Sequence, residues 1–201
     1  MVSPGLIGDV GATNARFALV EEAGRFTRPR VLLTDEHASL GDAVSTYLAD
    51  ERPSSRPVRA VLAVASPITG DNVVLTNNPW HFSITALQKE LGLERLEVVN
   101  DFVACALAVP HMTEADRVQI GHGAPSRGKP IGLLGPGTGL GVSALIPTKT
   151  GPVVIESEGG HVTLPAENAR DRKKCMGSIG SAARSSADAS SRITSTGTAA
   201  T

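Results

Sequence analysis

The sequence predicts an α/β fold, and three observations carry that prediction. The first 35 residues hold three short apolar, β-branched runs separated by Gly-containing breaks. Helical and strand patterns then alternate as far as residue 109, and a second set of strand-like runs begins at residue 131. A meander followed by alternating helices and strands describes a sheet with helices packed on it, and the late strands make the opening unit read as repeated.

The elements follow in order. Gly5–Val10, Ala15–Glu22 and Arg30–Asp35 are expected as the meander strands. Ser39 offers an N-cap for a helix to about Asp50, because Ala43, Val44, Tyr47 and Leu48 share one face. Pro53 and Pro57 mark the loop after it. Val58–Ala65 is nearly all apolar and is expected to be a strand buried on both faces, as in a parallel sheet. Thr69–Asn72 is a turn and Val73–Thr76 a short strand. Ser83 caps a helix carrying Ile84, Leu87 and Leu91, stopped by Gly92. Leu96–Asn100 reads as a buried strand, and Asp101–Val109 as a helix ended by Pro110. Ile131–Leu134, Val142–Ile146 and Val153–Ile155 are the later strands.

Gly121, Gly123, Pro125, Gly128 and Pro130 cluster where the two sets of elements meet. The expected organisation is therefore a first lobe over 1–110, a connecting segment over 111–130 and the start of a second lobe over 131–170. Composition changes after Arg170. Of the 26 residues from Met176 to Thr201, 20 are Ser, Ala, Thr or Gly, too few of them apolar to offset the entropy of ordering. Residues 171–201 are expected to be a disordered, low-complexity tail, outside the native reading frame.

A net charge of −1, with Lys and Arg scattered, gives no footprint for nucleic acid or an anionic membrane. Cys105 and Cys175 form neither a disulfide framework nor a CxxC metal site, which suits a reducing compartment. Asp9, Asn14 and Arg16 interrupt the N-terminal apolar residues too early for a signal peptide, and no apolar run reaches the ~18 residues that span a bilayer. A soluble cytoplasmic protein is expected.

Four stretches carry chemistry. Gly8-Asp9-Val10-Gly11-Ala12-Thr13-Asn14-Ala15-Arg16 joins two strands with backbone N–H groups, a hydroxyl and one carboxylate, which suits a phosphate and a hydrated metal; an ordinary hairpin turn has the same composition. Gly135-Pro136-Gly137-Thr138-Gly139-Leu140-Gly141 follows a strand and can converge amides on an anion. It is not a P-loop, since no Lys-Ser or Lys-Thr follows, and a plain Gly-rich connection is the alternative. Asp101, after Val98-Val99-Asn100, stands where a strand ends and a helix begins. It suits either an N-cap or a general base that takes a hydroxyl proton. Glu156-Ser157-Glu158-Gly159-Gly160-His161 sets carboxylates and an imidazole around a Gly-Gly turn, able to bond a polyol, to hold a metal weakly for want of a nearby third ligand, or simply to be solvated.

Together these stretches closely resemble the bacterial glucokinases, ATP-dependent sugar kinases of the actin-like, ribonuclease-H-like ATPase fold shared with hexokinase. GDVGATNAR at 8–16, PITGDNVVLTNNPWHFSI at 67–84, VNDFVA at 99–104, GPGTGLGV at 135–142 and SEGGHV at 157–162 run in the family's order across residues 5–168. The resemblance implies that Gly8, Asp9, Val10, Gly11, Ala12 and Thr13 form the first phosphate loop, with Asp9 near Mg2+. Gly137, Thr138 and Gly139 would belong to the second phosphate loop. Asn100, Asp101, Glu158 and His161 would bind the sugar, with Asp101 as the base on its 6-hydroxyl. ATP and glucose are the implied substrates, and a homodimer the implied form of the complete protein. Ala12 stands where the family commonly has Gly. The related repressor/kinase family carries a cysteine-rich zinc cluster that Cys175-Met176-Gly177 does not supply, so the zinc-independent branch fits.

Family members continue well past residue 170, with a further sugar-binding Glu and most of the second lobe. The first lobe is thus expected complete, with only the start of the second. Little kinase activity and a tendency to aggregate are expected of the 201 residues alone. Two other functions fit some of the residues: a sugar-binding fragment without turnover, and a dinucleotide-binding oxidoreductase built on Gly135–Gly141.

Overall fold

Apolar residues at alternate positions place a common inner face on the opening strands. The computed structural model describes residues 3–21, 24–76, 78–126, 128–136, 140–157 and 159–161. β1 (Gly5–Val10), β2 (Asn14–Val20) and β3 (Phe26–Leu33) form the antiparallel meander. Pairing of Leu6 with Leu19, Gly8 with Phe17 and Val10 with Ala15 sets these residues on the core side. β4 (Arg59–Val64) runs parallel to β1, and β7 (Arg95–Asn100) parallel to β4, completing a five-stranded sheet in the order β3-β2-β1-β4-β7.

α1 (Leu40–Glu51) begins where the Ser39 hydroxyl accepts the Asp42 N–H at 3.1 Å. It buries Leu40, Ala43, Val44 and Tyr47 in the same core as Leu6, Phe17 and Leu62. A short hairpin, β5 (Asn72–Val74) with β6 (His81–Ser83), leads into α2 (Ile84–Glu90), capped by the Ser83 hydroxyl. After α2, Gly92 adopts φ +67°, a conformation that favours glycine. α3 (Asp101–Ala108) follows β7 directly, and Pro110 lies in the 3-10 turn Val109–His111 after it.

β8 (Ile131–Pro136), β9 (Leu140–Ile146) and β10 (Val153–Ser157) make a second, antiparallel sheet, against which α3 packs. Between α3 and β8 the described residues hold only the 3-10 turns Val109–His111 and Glu114–Asp116. The chain divides into two units between Ser157 and Glu158; in the second, only the 3-10 turn Gly159–His161 is described. The expected tail over 171–201 lies outside the described residues.

Three differences from the expectation have physical causes. β3 starts at Phe26 because Arg28, at φ +54°, sits in a bulge opposite Ala18 that carries the strand past Pro29. β6 is too short to show periodicity. β4 is buried on one face only: Ala60, Leu62 and Val64 face the core, while Val61 is 42% exposed on the opposite side.

Tyr47 is fully buried, with its hydroxyl donating to the Arg28 carbonyl at 2.9 Å. Burial first, then the Glu51 charge, pushes its pKa up from 10.0 to about 12. The folded state therefore holds the proton more tightly than the unfolded chain. Stability is expected to fall as pH rises from about 10 to about 12, with Tyr47→Phe flattening that fall in alkaline denaturation curves.

Candidate active site

The parallel strands bring three loops to one edge. Val10, Val64 and Asn100 lie in a single row across β1, β4 and β7. The chain therefore leaves all three strands together, at the carboxyl ends where α/β sheets place ligands. Two bonds tie the exits: Ala65 N–H donates to the Val10 carbonyl at 3.1 Å, and Asn100 Nδ2 donates to the Ser66 carbonyl at 3.3 Å.

Gly11, Ala12 and Thr13 form the turn after β1. The Ala12 carbonyl accepts from Thr34 Oγ1 at 2.8 Å and Asn78 Nδ2 at 3.0 Å, and the Thr13 carbonyl accepts from the Thr34 N–H at 3.0 Å. The carbonyls are thus held inward. The N–H groups of the exposed Ala12 and Thr13 make no hydrogen bond among the described residues. Outward amides beside inward carbonyls suit an anion.

Thr34 and Asn78 were not among the expected site residues. Asn78-Pro79 is a turn-initiating pair and could have drawn notice, whereas nothing in the sequence marks Thr34. Asn78 also accepts the Trp80 N–H at 2.8 Å and is buried. Asn78→Ala strands that N–H and removes one of the two bonds on Ala12. It is expected to cost about 1–3 kcal/mol in urea unfolding and to loosen the turn.

The remaining residues of the first stretch divide by face. Gly8 and Val10 point into the core. A Cβ on Gly8 would lie 2.7 Å from Leu62 Cδ2 and 2.9 Å from Phe17 Cδ1, so packing requires this glycine. Asp9 lies on the other face, where its carboxylate accepts from Arg16 Nη1 at 2.9 Å, directly across the β1–β2 pair.

At the end of β7, Asn100 rather than Asp101 is the helix N-cap, its Oδ1 accepting the N–H groups of Phe102 at 2.9 Å and Val103 at 3.3 Å. Asp101 opens the helix with Oδ1 2.9 Å from the Phe102 N–H. Burial, and then the negative charge of Asp9, raise the Asp101 pKa above the ordinary carboxylate value, against the opposing pull of the Phe102 N–H bond. The two acids thus interact electrostatically across the edge formed by β1 and β7.

Gly137, Thr138, Gly139 and Glu158 lie outside the described residues, and His161 ends the turn Gly159–His161. Among the described residues β8 is followed by its antiparallel partner β9 and not by a helix, whose N-terminus is where a dinucleotide pyrophosphate rests. Among the described residues no three His, Cys, Asp or Glu side chains group closely enough to hold a metal alone, and no helix is long and apolar enough to cross a membrane.

The sheet order, with the antiparallel β1-β2-β3 meander on one side of β1 and the parallel strands β4 and β7 on the other, is that of an ATPase fold of the actin-like, ribonuclease-H-like class. A sequence profile of glucokinases matches residues 6–183, and the chain belongs to the glucokinase family. It is 49% identical over 169 residues to the glucokinase of Aromatoleum aromaticum, an alignment covering 84% of this chain and 51% of that protein. Over 168 residues it is 47% identical to a bifunctional protein glk of Burkholderia orbicola, covering 84% of this chain and 26% of that one. The solved glucokinase from an Antarctic psychrotroph superposes with a TM-score of 0.74 at 38% identity, over 86% of this chain and 55% of that one. The glucokinase of Balamuthia mandrillaris, solved with glucose, shares the fold with a TM-score of 0.58 at 20% identity, over 86% and 53% of the two chains. The chain spans about half the length of the curated glucokinases it matches.

Proposed function

We propose that this chain carries the acceptor-side half of an ATP-dependent glucokinase, which moves the γ-phosphoryl of ATP to the 6-hydroxyl of glucose and gives glucose 6-phosphate. The observation that carries the reading is the common edge: free amides at Ala12 and Thr13 and a half-buried, proton-avid carboxyl at Asp101 follow the carboxyl ends of β1 and β7, the parallel strands on either side of β4.

In this reading Asn100 and Asp101 hold the sugar, joined by Glu158 and His161. Asp101, once ionised, accepts the 6-hydroxyl proton as the oxygen attacks phosphorus. The turn Gly11–Thr13 receives phosphate oxygens through its amides, with Gly8, Asp9 and Val10 as its supporting strand, and Gly137, Thr138 and Gly139 serve the second loop. Mg2+ fits Asp9, since this ion binds nucleotides through one or two carboxylates while keeping several waters, and an exposed single carboxylate supplies that donor. When bound, the ion neutralises charge on the phosphates. Residues 1–110 and 131–170 act as parts of two lobes joined by 111–130. The same reading entails a cytoplasmic protein that works on ATP and glucose as a homodimer, without a nucleic-acid or membrane partner.

A coupled assay of the full-length protein tests this. ADP formation that needs glucose and stops on chelation of Mg2+ is expected; a folded protein that yields none contradicts it. A second reading, a sugar-binding segment without turnover, is favoured by apolar strand side chains left uncovered on both sheets, Val31 and Val61 on the first and Leu134 on the second, as suits strands that work against further protein. Calorimetric glucose binding without any ADP formation would establish it instead.

A further inference from the structure

Two glycines of the second Gly-rich stretch have a neighbour that explains them without a phosphate. Gly135 on β8 and Gly141 on β9 face each other across the antiparallel pair, so their missing side chains leave one flat window on the same side of the sheet. The Phe102 ring fills that window. A Cβ on either glycine would fall inside the van der Waals volume of the ring. Two residues along β9, the buried Ser143 donates its hydroxyl to the Phe102 carbonyl at 3.2 Å. Phe102 is thus held on both its side chain and its backbone by the strands that flank Gly137–Gly139. Its N–H meanwhile bonds Asp101 Oδ1 and the Asn100 cap at 2.9 Å each.

We propose that Phe102 is a positioning residue: seated on the Gly135–Gly141 window and bonded by Ser143, it fixes the Asp101 carboxyl relative to the hairpin of the second Gly-rich loop. The proposal rests on the glucokinase reading for what Asp101 does, but the seat itself does not. It separates the glycines of the stretch by task. Gly135 and Gly141 make room for a ring, leaving Gly137 and Gly139 for the phosphate.

The test compares the 201-residue chain with its Phe102→Leu, Gly141→Ala and doubly substituted forms. Thermal unfolding is one readout; the other is titration of the Asp101 carboxyl by 13C NMR, with Asp9 as the charged group it feels across the edge. Gly141→Ala is expected to lower the melting temperature by about 4 °C or more, as overpacking does. Most of that loss should vanish when Phe102 is already Leu. Either single change is expected to move the Asp101 midpoint down toward the ordinary carboxylate value, because a displaced ring lets water in, and the double change no further. Additive melting losses would overturn the seat, and an Asp101 midpoint unmoved by Gly141→Ala would overturn the positioning role. If Gly141→Ala does not fold, Ser143→Ala, which removes only one hydrogen bond, puts the same question to the Asp101 midpoint. Neither readout needs turnover, so a protein that fails to phosphorylate glucose counts against the kinase reading and leaves the seat standing.

Discussion

Asp101→Asn is expected to lower glucose phosphorylation by the full-length protein roughly 10²–10⁴-fold while leaving glucose binding largely in place. An amide keeps the size of the side chain and an oxygen to accept the Phe102 N–H, but it cannot take up the sugar's proton. Unchanged turnover would remove Asp101 from the role of base. Stability should move the other way. Because the folded protein raises the Asp101 pKa, it binds that proton more tightly than the unfolded chain does. As pH rises from the unfolded value through the raised one, this group makes folding less favourable. Asp101→Asn removes that cost, so the variant is expected to melt higher than the parent at neutral pH, the advantage fading in acid below the unfolded value. The rate profile of the parent carries the same mark: its acid limb, where the base must ionise, is expected above the ordinary carboxylate range. A gain in stability paired with a loss of turnover is characteristic of a residue kept for chemistry.

Phe17→Ala is expected to cost about 3–5 kcal/mol, the largest stability effect anticipated for this sheet. Phe17 is 2% exposed, lies across from Gly8, and its ring centroid is 5.5 Å from that of Tyr47. The substitution empties the space between β1 and α1 directly beneath the residues that lead into the turn Gly11–Thr13. Denaturant unfolding with an unchanged slope checks the magnitude. Gly8→Ala, overpacked in the parent, is expected to be better tolerated once the ring is gone. A Gly8→Ala penalty as large without the Phe17 ring as with it would mean that Leu62 alone forbids the side chain.

What the sequence makes legible is what local patterning controls. The meander, the Ser39 and Ser83 caps and the strand-to-helix junction at Asn100 all follow from neighbours within a few residues. What it hides lies across strands. The glycines at 8, 135 and 141 resemble phosphate-loop glycines in sequence, yet each faces an aromatic ring brought to it by strand pairing, a relation that no local spacing records. Thr34 and Asn78, which hold the first turn from 22 and 66 residues away, were hidden for the same reason. At the junction itself, Asp101 reads as well for a cap as for a base. Only the three-dimensional hydrogen bonds give the capping to Asn100 and leave the Asp101 carboxyl half-buried and proton-avid. Burial was misread on β4, because an all-apolar strand does not say how many layers of protein cover it.

The common edge of β1, β4 and β7 is the centre of the account, and amide NMR of the 201-residue chain tests it most directly. Glucose is expected to shift the Asn100, Asp101, Phe102 and Val103 amides in a saturable way, and ATP added afterwards to shift Ala12 and Thr13. Saturable shifts that fall elsewhere and spare both groups, or no saturable response from the folded chain, would contradict it.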